Sequence, residues 1–307
     1  MSQPFEKAAI LGLGLIGSSI SHAIRAYGGA KTISGHARSV ETLRVATELG
    51  LADSFHASAA EAVKGADLII LCAPVGACGA LAEAIRDTVA PGAIITDVGS
   101  VKGAIVRDVG PHVPKHAHFI PGHPIAGTEQ SGPRSGFPEL FQNRWCILTP
   151  VEGTLPEPVA ALEAFWRGFG SNVEIMTAEH HDLVLAMTSH LPHLIAYNSV
   201  ATAADLEEVT QSEVIKFSAG GFRDLTRIAS SDPTMWRDVF LNNREAVLEM
   251  LGRFTEELAV LQRAIRWGDG ETLFNLFTRA REIRRGIIAA GQDTAAPNFG
   301  RTPERKP

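Results

Sequence analysis

Hydrophobic and polar positions follow two different rhythms along this chain. Through the first half, short uninterrupted apolar runs recur at residues 7–11, 31–35, 67–74, 93–98, 118–120 and 145–149. Between them lie stretches with apolar residues at three- and four-residue spacing, notably 18–27, 75–88 and 156–169. A strand that is apolar on both sides has no face left for water, so it needs helices above and below it. Continuous apolar strands alternating with helices therefore predict a doubly wound, mostly parallel α/β sheet of the Rossmann type.

From residue 178 the strand-like runs vanish and helical spacing takes over. Residues 179–204 read as one long helix, kinked where Pro192 removes a backbone donor. Asp232-Pro233-Thr234 reads as a capped helix start with proline in the first helical position. A long helix is expected over 235–266, interrupted near Gly252, and another over 270–290. Arg279, Arg281, Arg284 and Arg285 in its last turn fit a solvated face that favours the helix C-terminus. The expected organisation is a sheet domain over 1–177, an all-α domain over 178–290 and a disordered polar tail over 291–307. By fold-level analogy, a helical second domain of this kind builds a dimer interface.

Composition narrows the function classes. A chain of 307 residues, 45% hydrophobic and 20% charged, has the make-up of a globular protein of two domains. Its formal charge of −6 and isoelectric point near 6.0 argue against binding to nucleic acid or anionic membranes. No apolar run approaches the ~18 residues of a membrane-spanning helix and no signal peptide opens the chain, so a cytoplasmic protein is expected. Three cysteines (Cys72, Cys78, Cys146) without C-x-x-C spacing fit a reducing compartment, not a disulfide framework or a zinc ribbon.

The first run ends in Gly12-Leu13-Gly14-Leu15-Ile16-Gly17 and a helical stretch follows. This is G-x-G-x-x-G between strand and helix, the setting in which it binds a dinucleotide. Gly12 permits the tight turn, Gly14 lets a pyrophosphate approach the backbone, and Gly17 lets helix and strand pack closely. The helix N-terminus around Leu15 and Ile16 then offers N–H groups to the phosphates. Beyond the second strand stand His36-Ala37-Arg38-Ser39, with no carboxylate to take a ribose 2′-hydroxyl. Arg38 and Ser39 suit a 2′-phosphate, which favours NADP, although Arg38 is equally compatible with a solvated surface or with stacking on adenine.

Ligands of such sheets sit beyond the carboxyl ends of strands. Ala73-Pro74-Val75, Gly99-Ser100 and Pro121-Gly122-His123 all fall there. His123 stands on a glycine-rich loop, and an imidazole with an ordinary pKa near ~6.5 can take a proton at neutral pH. Facing a nicotinamide, it is equipped to oxidise an alcohol; the bland reading is packing in a turn. In the helical half, His190 and His193 share a helix face, either as substrate contacts or as ordinary core residues. No third ligand accompanies them, so no metal site is expected. Arg227, after the turn at Gly220-Gly221, suits bidentate recognition of a carboxylate, whereas a surface ion pair with Asp224 is the plain alternative. Trp236, at a helix start, would wall a pocket or fill a core.

Over roughly residues 7–290 the chain resembles the prephenate/arogenate (cyclohexadienyl) dehydrogenases of tyrosine biosynthesis. The resemblance rests on GLGLIGSS (12–19), LCAPV (71–75), DVGSVK (97–102), GHPIAGTEQSG (122–132), ELF (139–141), AEHHD (178–182), TSHLPH (188–193) and GGFRDLTRIASSDPTMW (220–236). Only the first of these is common among unrelated nucleotide-binding proteins. The resemblance implies oxidative decarboxylation of prephenate, arogenate or both, with hydride passing to NAD(P). It implies that His123 accepts the proton of the substrate hydroxyl, assisted by Ser100, and that Arg227 holds a substrate carboxylate. His190, His193, Thr128, Glu129, Asp224, Trp236 and Gly220 match positions around the substrate, with Gly220 near a dimer partner. A homodimer is implied, and feedback by tyrosine would act at the active site itself. The departure is at His36-Ala37-Arg38, where many members carry an acidic residue; this puts NAD preference in doubt.

Two rivals remain in view. A β-hydroxyacid dehydrogenase would use a lysine base, yet Lys216 is the only lysine between Lys115 and Lys306 and lies in a charged stretch. A catalytically inactive, dinucleotide-sensing homologue would keep the fold without turnover; the presence of His123, Ser100 and Arg227 speaks against it.

Overall fold

A computed structural model describes residues 4–128, 130–210 and 216–289; Glu129 and the tail expected at 291–307 lie outside the described residues. The chain opens with strand β1 (Phe5–Leu11), helix α1 (Leu15–Tyr27), β2 (Ala30–His36), α2 (Val40–Glu48), β3 (Ser54–His56) and α3 (Ala59–Val63). It continues with β4 (Leu68–Leu71), α4 (Cys78–Ile85), β5 (Ile94–Asp97), α5 (Lys102–Val109) and β6 (His118–Phe119). These six strands form one parallel sheet in the order β3-β2-β1-β4-β5-β6, the doubly wound arrangement expected from the apolar runs. Side chains alternate across it. Ala8, Ile10, Leu68 and Ile70 enter one buried cluster, while Ala9, Leu11, Ile69 and Leu71 enter another on the opposite face. That is why these strands are apolar at every position.

The run at 145–149 belongs to a different sheet. β7 (Gly122–Pro124), β8 (Trp145–Leu148) and β9 (Asn172–Ile175) form three strands, β7 antiparallel to β8 and β8 parallel to β9. Helix α6 (Pro156–Gly168) connects the last two and buries Phe165 and Trp166 against Phe141 and Phe169, with ring centroids 4.6–6.0 Å apart. The chain thus leaves the first sheet after β6 and enters the second at once, with His123 in the middle of β7.

The remaining elements are helical: α7 (Ala178–Leu185), α8 (Leu191–Thr210), α9 (Gly220–Thr226), α10 (Pro233–Asn242), α11 (Arg244–Trp267) and α12 (Gly270–Ala289). Two expectations need correction. The helix read over 179–204 is not simply kinked: Ala186–His190 forms a π turn between α7 and α8, directly before Leu191 and Pro192. A wider turn there accommodates the missing donor and ring of proline, and it re-aims the histidine within it. The interruption expected near Gly252 lies instead at Asn243 (φ −109°, ψ 36°), and α11 runs through Gly252 unbroken. Asn243 breaks the helix because its side chain is engaged elsewhere, as described below.

The chain forms two compact units, one ending at Leu248 and one beginning at Glu249. Both sheets and helices α1 to α10 belong to the first. Among the described residues no helix is long and apolar enough to cross a membrane.

Candidate active site

The turn after β1 shows what each fingerprint glycine does. Gly12 has φ +113°, and a Cβ there would lie 2.2 Å from the carbonyl oxygen of Cys72. A Cβ on Gly17 would lie 1.9 Å from the carbonyl oxygen of Gly12. Around Gly14 a Cβ would meet nothing within 4 Å. Two glycines are therefore required by packing and the third faces open space, which fits a bound pyrophosphate at the start of α1. Leu15 and Ile16 are half-buried in its first turn. At the end of β2, the Nδ1 of His36 bonds the carbonyl of His56, Arg38 is exposed, and Ser39 Oγ caps α2 by accepting from the N–H of Thr42. Beyond β4, Ala73 is half-buried, Pro74 exposed and Val75 buried.

Asp97 ties the carboxyl ends of β5 and β6 together. Its Oδ2 accepts from the N–H of Gly99 at 2.7 Å and its Oδ1 from the N–H of Gly122 at 3.1 Å. One carboxylate therefore fixes the residues immediately before Ser100 and His123. Lys102, fully buried, pairs with Asp97 and donates to the carbonyl of Gly122 at 2.7 Å. Burial pushes the Asp97 carboxyl upward against the pull of Lys102 and the two N–H groups. Ser100 is half-buried at this junction.

His123 is 8% exposed, and it sits on a strand, not on the irregular loop expected from its flanking glycine and prolines. Its Nδ1 lies 2.8 Å from Nε2 of His181, whose Nδ1 lies 2.8 Å from Oδ1 of Asp182. Asp182 in turn accepts the N–H groups of Lys102 (2.7 Å) and Gly103 (2.8 Å) at the start of α5. Burial is the first cause holding the His123 imidazole well below the ordinary histidine range, followed by His181, Lys102 and His190. His181 is lowered too, by burial, against the opposing effect of Asp182. Among the described residues nothing hydrogen-bonds Nε2 of His123. The array presents a neutral imidazole with one nitrogen committed inward and the other unengaged.

The two histidines three apart diverge. His190 is fully buried in the π turn; its Nδ1 faces the Asn243 amide at 3.1 Å, and its Nε2 has no hydrogen-bond partner among the described residues. The same amide donates to the carbonyl of Asp182 at 2.9 Å, which is what Asn243 gains by breaking the helix. Burial takes His190 down to about 4. His193 is half-buried and stacks on Trp236 with ring centroids 3.6 Å apart. Its pKa is lowered by burial first, and the nearby Arg227 guanidinium adds to the effect. Arg227 is exposed at the end of α9. Trp236 is buried in the same cluster as Val75, and the N–H of Gly76 donates to Asp238 at 2.9 Å, so α10 is fastened to the loop after β4.

The structure thus joins His123 with Asp97, Lys102, His181, Asp182, Asn243 and His190, and joins these to His193 and Arg227 through Trp236, which His190 meets edge-on with ring centroids 6.0 Å apart. No hydrogen bond or ion pair among the described residues ties Thr128, Gly220 or Asp224 to these groups: Thr128 is exposed and accepts from the N–H of Gln130, Gly220 begins α9, and Asp224 is exposed with no ion pair. Glu129 lies outside the described residues. Sequence reasoning singled out the stretch holding His181 and Asp182 without giving either a role, and overlooked Lys102, Asp97 and Asn243 as working parts. The one local signal is a histidine–aspartate pair in the first turn of a helix, and its partners are 58 and 80 residues away. No group of histidine, cysteine, aspartate and glutamate among the described residues has the geometry of a metal site.

Comparison with known proteins places these features in context. Residues 20–175 match the family described as prephenate dehydrogenase, nucleotide-binding domain, and residues 177–279 match prephenate dehydrogenase, dimerization domain. A cyclohexadienyl dehydrogenase of Zymomonas mobilis is 40% identical over 283 residues, covering 92% of this chain and 96% of that protein. A prephenate dehydrogenase of Bacillus subtilis is 35% identical over 300 residues, 97% of this chain and 80% of that protein. The crystal structure of prephenate dehydrogenase from Aquifex aeolicus with hydroxyphenyl propionate and NAD+ superposes with a TM-score of 0.86 at 33% identity, covering 94% of this chain and 99% of that one.

Proposed function

The chain belongs to the prephenate dehydrogenase family, and from that premise we propose that it catalyses the NAD(P)-dependent oxidative decarboxylation of prephenate, arogenate or both. The observation that carries this reading is His123: a neutral imidazole at the carboxyl edge of a dinucleotide-binding sheet, with Nδ1 engaged and Nε2 unengaged. Nε2 accepts the proton of the substrate hydroxyl, and Ser100, next to the Gly99 that Asp97 holds, hydrogen-bonds the same oxygen. When bound, the oxidised nicotinamide supplies the acceptor for the hydride leaving the carbinol carbon. Loss of the ring carboxylate then leaves an aromatic ring, so the protein has only to align the reactants and remove one proton. Arg227 pairs with a substrate carboxylate, while the His193–Trp236 stack walls the pocket. Thr128, Gly220 and Asp224 face the side chain of the substrate, and His190 supports the pocket from behind.

Residues 1–177 are assigned to dinucleotide binding and 178–290 to substrate binding and to a homodimer interface. NADP is the favoured cofactor because Arg38 is exposed beside the Ser39-capped start of α2 where a carboxylate would select NAD. Tyrosine, as product or product analogue, competes with substrate.

Absorbance at 340 nm with prephenate or arogenate and each dinucleotide tests the assignment; no reduced dinucleotide in any of the four combinations refutes it. His123→Asn should lower kcat on the order of 10²–10⁴-fold while dinucleotide affinity holds. Arg38→Ala should raise KM for NADP far more than for NAD, and tyrosine inhibition that is not competitive with substrate would remove the feedback reading.

A further inference from the structure

We propose that His181 and Asp182 are positioning residues of the reaction: Asp182 keeps the proton of His181 on Nδ1, the bare Nε2 of His181 keeps that of His123 on Nδ1, and the lone pair of His123 is thereby fixed on Nε2. The inference rests on the functional reading above for its kinetic consequence, but its structural content is independent of it.

The N–H groups of Lys102 and Gly103 can only donate, and they take Oδ1 and Oδ2 of Asp182 respectively. Both oxygens are therefore acceptors, and two donated backbone N–H groups stabilise the carboxylate form of Asp182, which has no proton to give. The bond of 2.8 Å between His181 Nδ1 and Asp182 Oδ1 must then be an N–H donated by His181. Burial keeps His181 neutral, so its Nε2 has a lone pair, and the contact of 2.8 Å to His123 Nδ1 requires the hydrogen to sit on His123. A neutral His123 with its hydrogen on Nδ1 is bare at Nε2. The other tautomer would present an N–H to the substrate hydroxyl and would be unable to accept its proton.

The array serves a second purpose once Nε2 takes that proton. His123 is then an imidazolium whose Nδ1–H already points at His181, and the nearest full negative charge along the line is Asp182. The groups facing His123 are Lys102 and Asp97 from α5 and β5, His181 and Asp182 from α7, His190 from the π turn and Cys146 from β8. Asp97 is already paired with Lys102, which leaves Asp182 to balance the new charge. Asp182 is itself held by α5 and, through its backbone carbonyl, by Asn243.

The test combines kinetics with nitrogen NMR. In protein labelled with ¹⁵N-histidine, ring correlations distinguish a bare nitrogen from one bearing hydrogen, and the His123 signals are those lost in His123→Asn. The wild type is expected to show His123 with hydrogen on Nδ1 and a bare Nε2; hydrogen on Nε2 overturns the proposal. Asp182→Asn leaves an amide oxygen to accept from His181 and Lys102 but removes the negative charge, so both tautomers should hold while kcat falls by about tenfold or more with KM for dinucleotide held. His181→Gln retains an acceptor for His123 and should keep kcat within about tenfold of wild type, whereas His181→Phe keeps the ring but not the acceptor and should lose about a hundredfold or more. Equal losses in the Gln and Phe variants, or an Asp182→Asn protein with unchanged turnover, overturn it. If the wild type reduces neither dinucleotide with either substrate, the functional reading fails while the tautomer measurement still decides this one.

Discussion

His190 offers a prediction with a magnitude set by the structure. The side chain is fully buried, and burial takes it from an ordinary value near 6.5 down to about 4. In the unfolded chain the imidazole protonates around ~6.5, whereas the folded protein refuses the proton until about pH 4. Between those values the unfolded state binds more protons, so stability rises with pH through the window and is lost as the pH falls. The slope is about 1.4 kcal/mol per pH unit, which gives about 2 kcal/mol between pH 6.5 and 5 and about 3 kcal/mol by pH 4. His123, His181 and His193, also lowered, act in the same sense, and Asp97, raised, acts against them. Comparison with His190→Gln isolates one residue, because glutamine still accepts from Asn243 but does not titrate. Urea unfolding followed by tryptophan fluorescence at pH 7, 6 and 5 should show the wild type losing about 2 kcal/mol more than the variant across that range. Any constant cost of the substitution cancels in this comparison. Parallel pH dependences for the two proteins, within about 0.5 kcal/mol, would refute the reasoning.

Three further outcomes follow from the same geometry. Gly17→Ala forces a Cβ against the carbonyl of Gly12 and should cost on the order of 1–3 kcal/mol in thermal or urea unfolding, while Gly14→Ala, with open space around it, should leave stability unchanged and weaken dinucleotide binding by about tenfold or more. Lys102→Met strands the buried Asp97 carboxylate and should destabilise the protein by about 3–5 kcal/mol, measured in the same way. The acid limb of kcat/KM should lie below the ordinary histidine value of ~6.5, because His123 is lowered in the folded protein; a limb at or above that value would contradict its burial.

The features that local pattern could carry are those that depend on neighbours in sequence. Strands at 67–74 and 93–98 announce themselves because both faces are covered, and Gly17 answers to a backbone atom of its own turn, the carbonyl of Gly12. The break at Asn243 was not legible, since the residue leaves the helix for partners on α7 and the π turn. Gly252, the weaker helix former by propensity, stays helical because nothing pulls it out. The strand setting of His123 was hidden for a related reason: β7 is three residues long and is held by pairing with β8, not by its own composition.

What the sequence alone determined, then, is the alternation that makes a parallel sheet, the glycine turn at its edge and the place of His123 just beyond the strand at 118–120. Period and turn chemistry are local, so they survive in one dimension. Tertiary structure alone decided which nitrogen of His123 is engaged, that His181 and Asp182 stand behind it, and that His190 and His193, one helical turn apart, have different surroundings. Buried polar groups find their partners across the fold, where the need to satisfy each donor and acceptor outweighs sequence proximity.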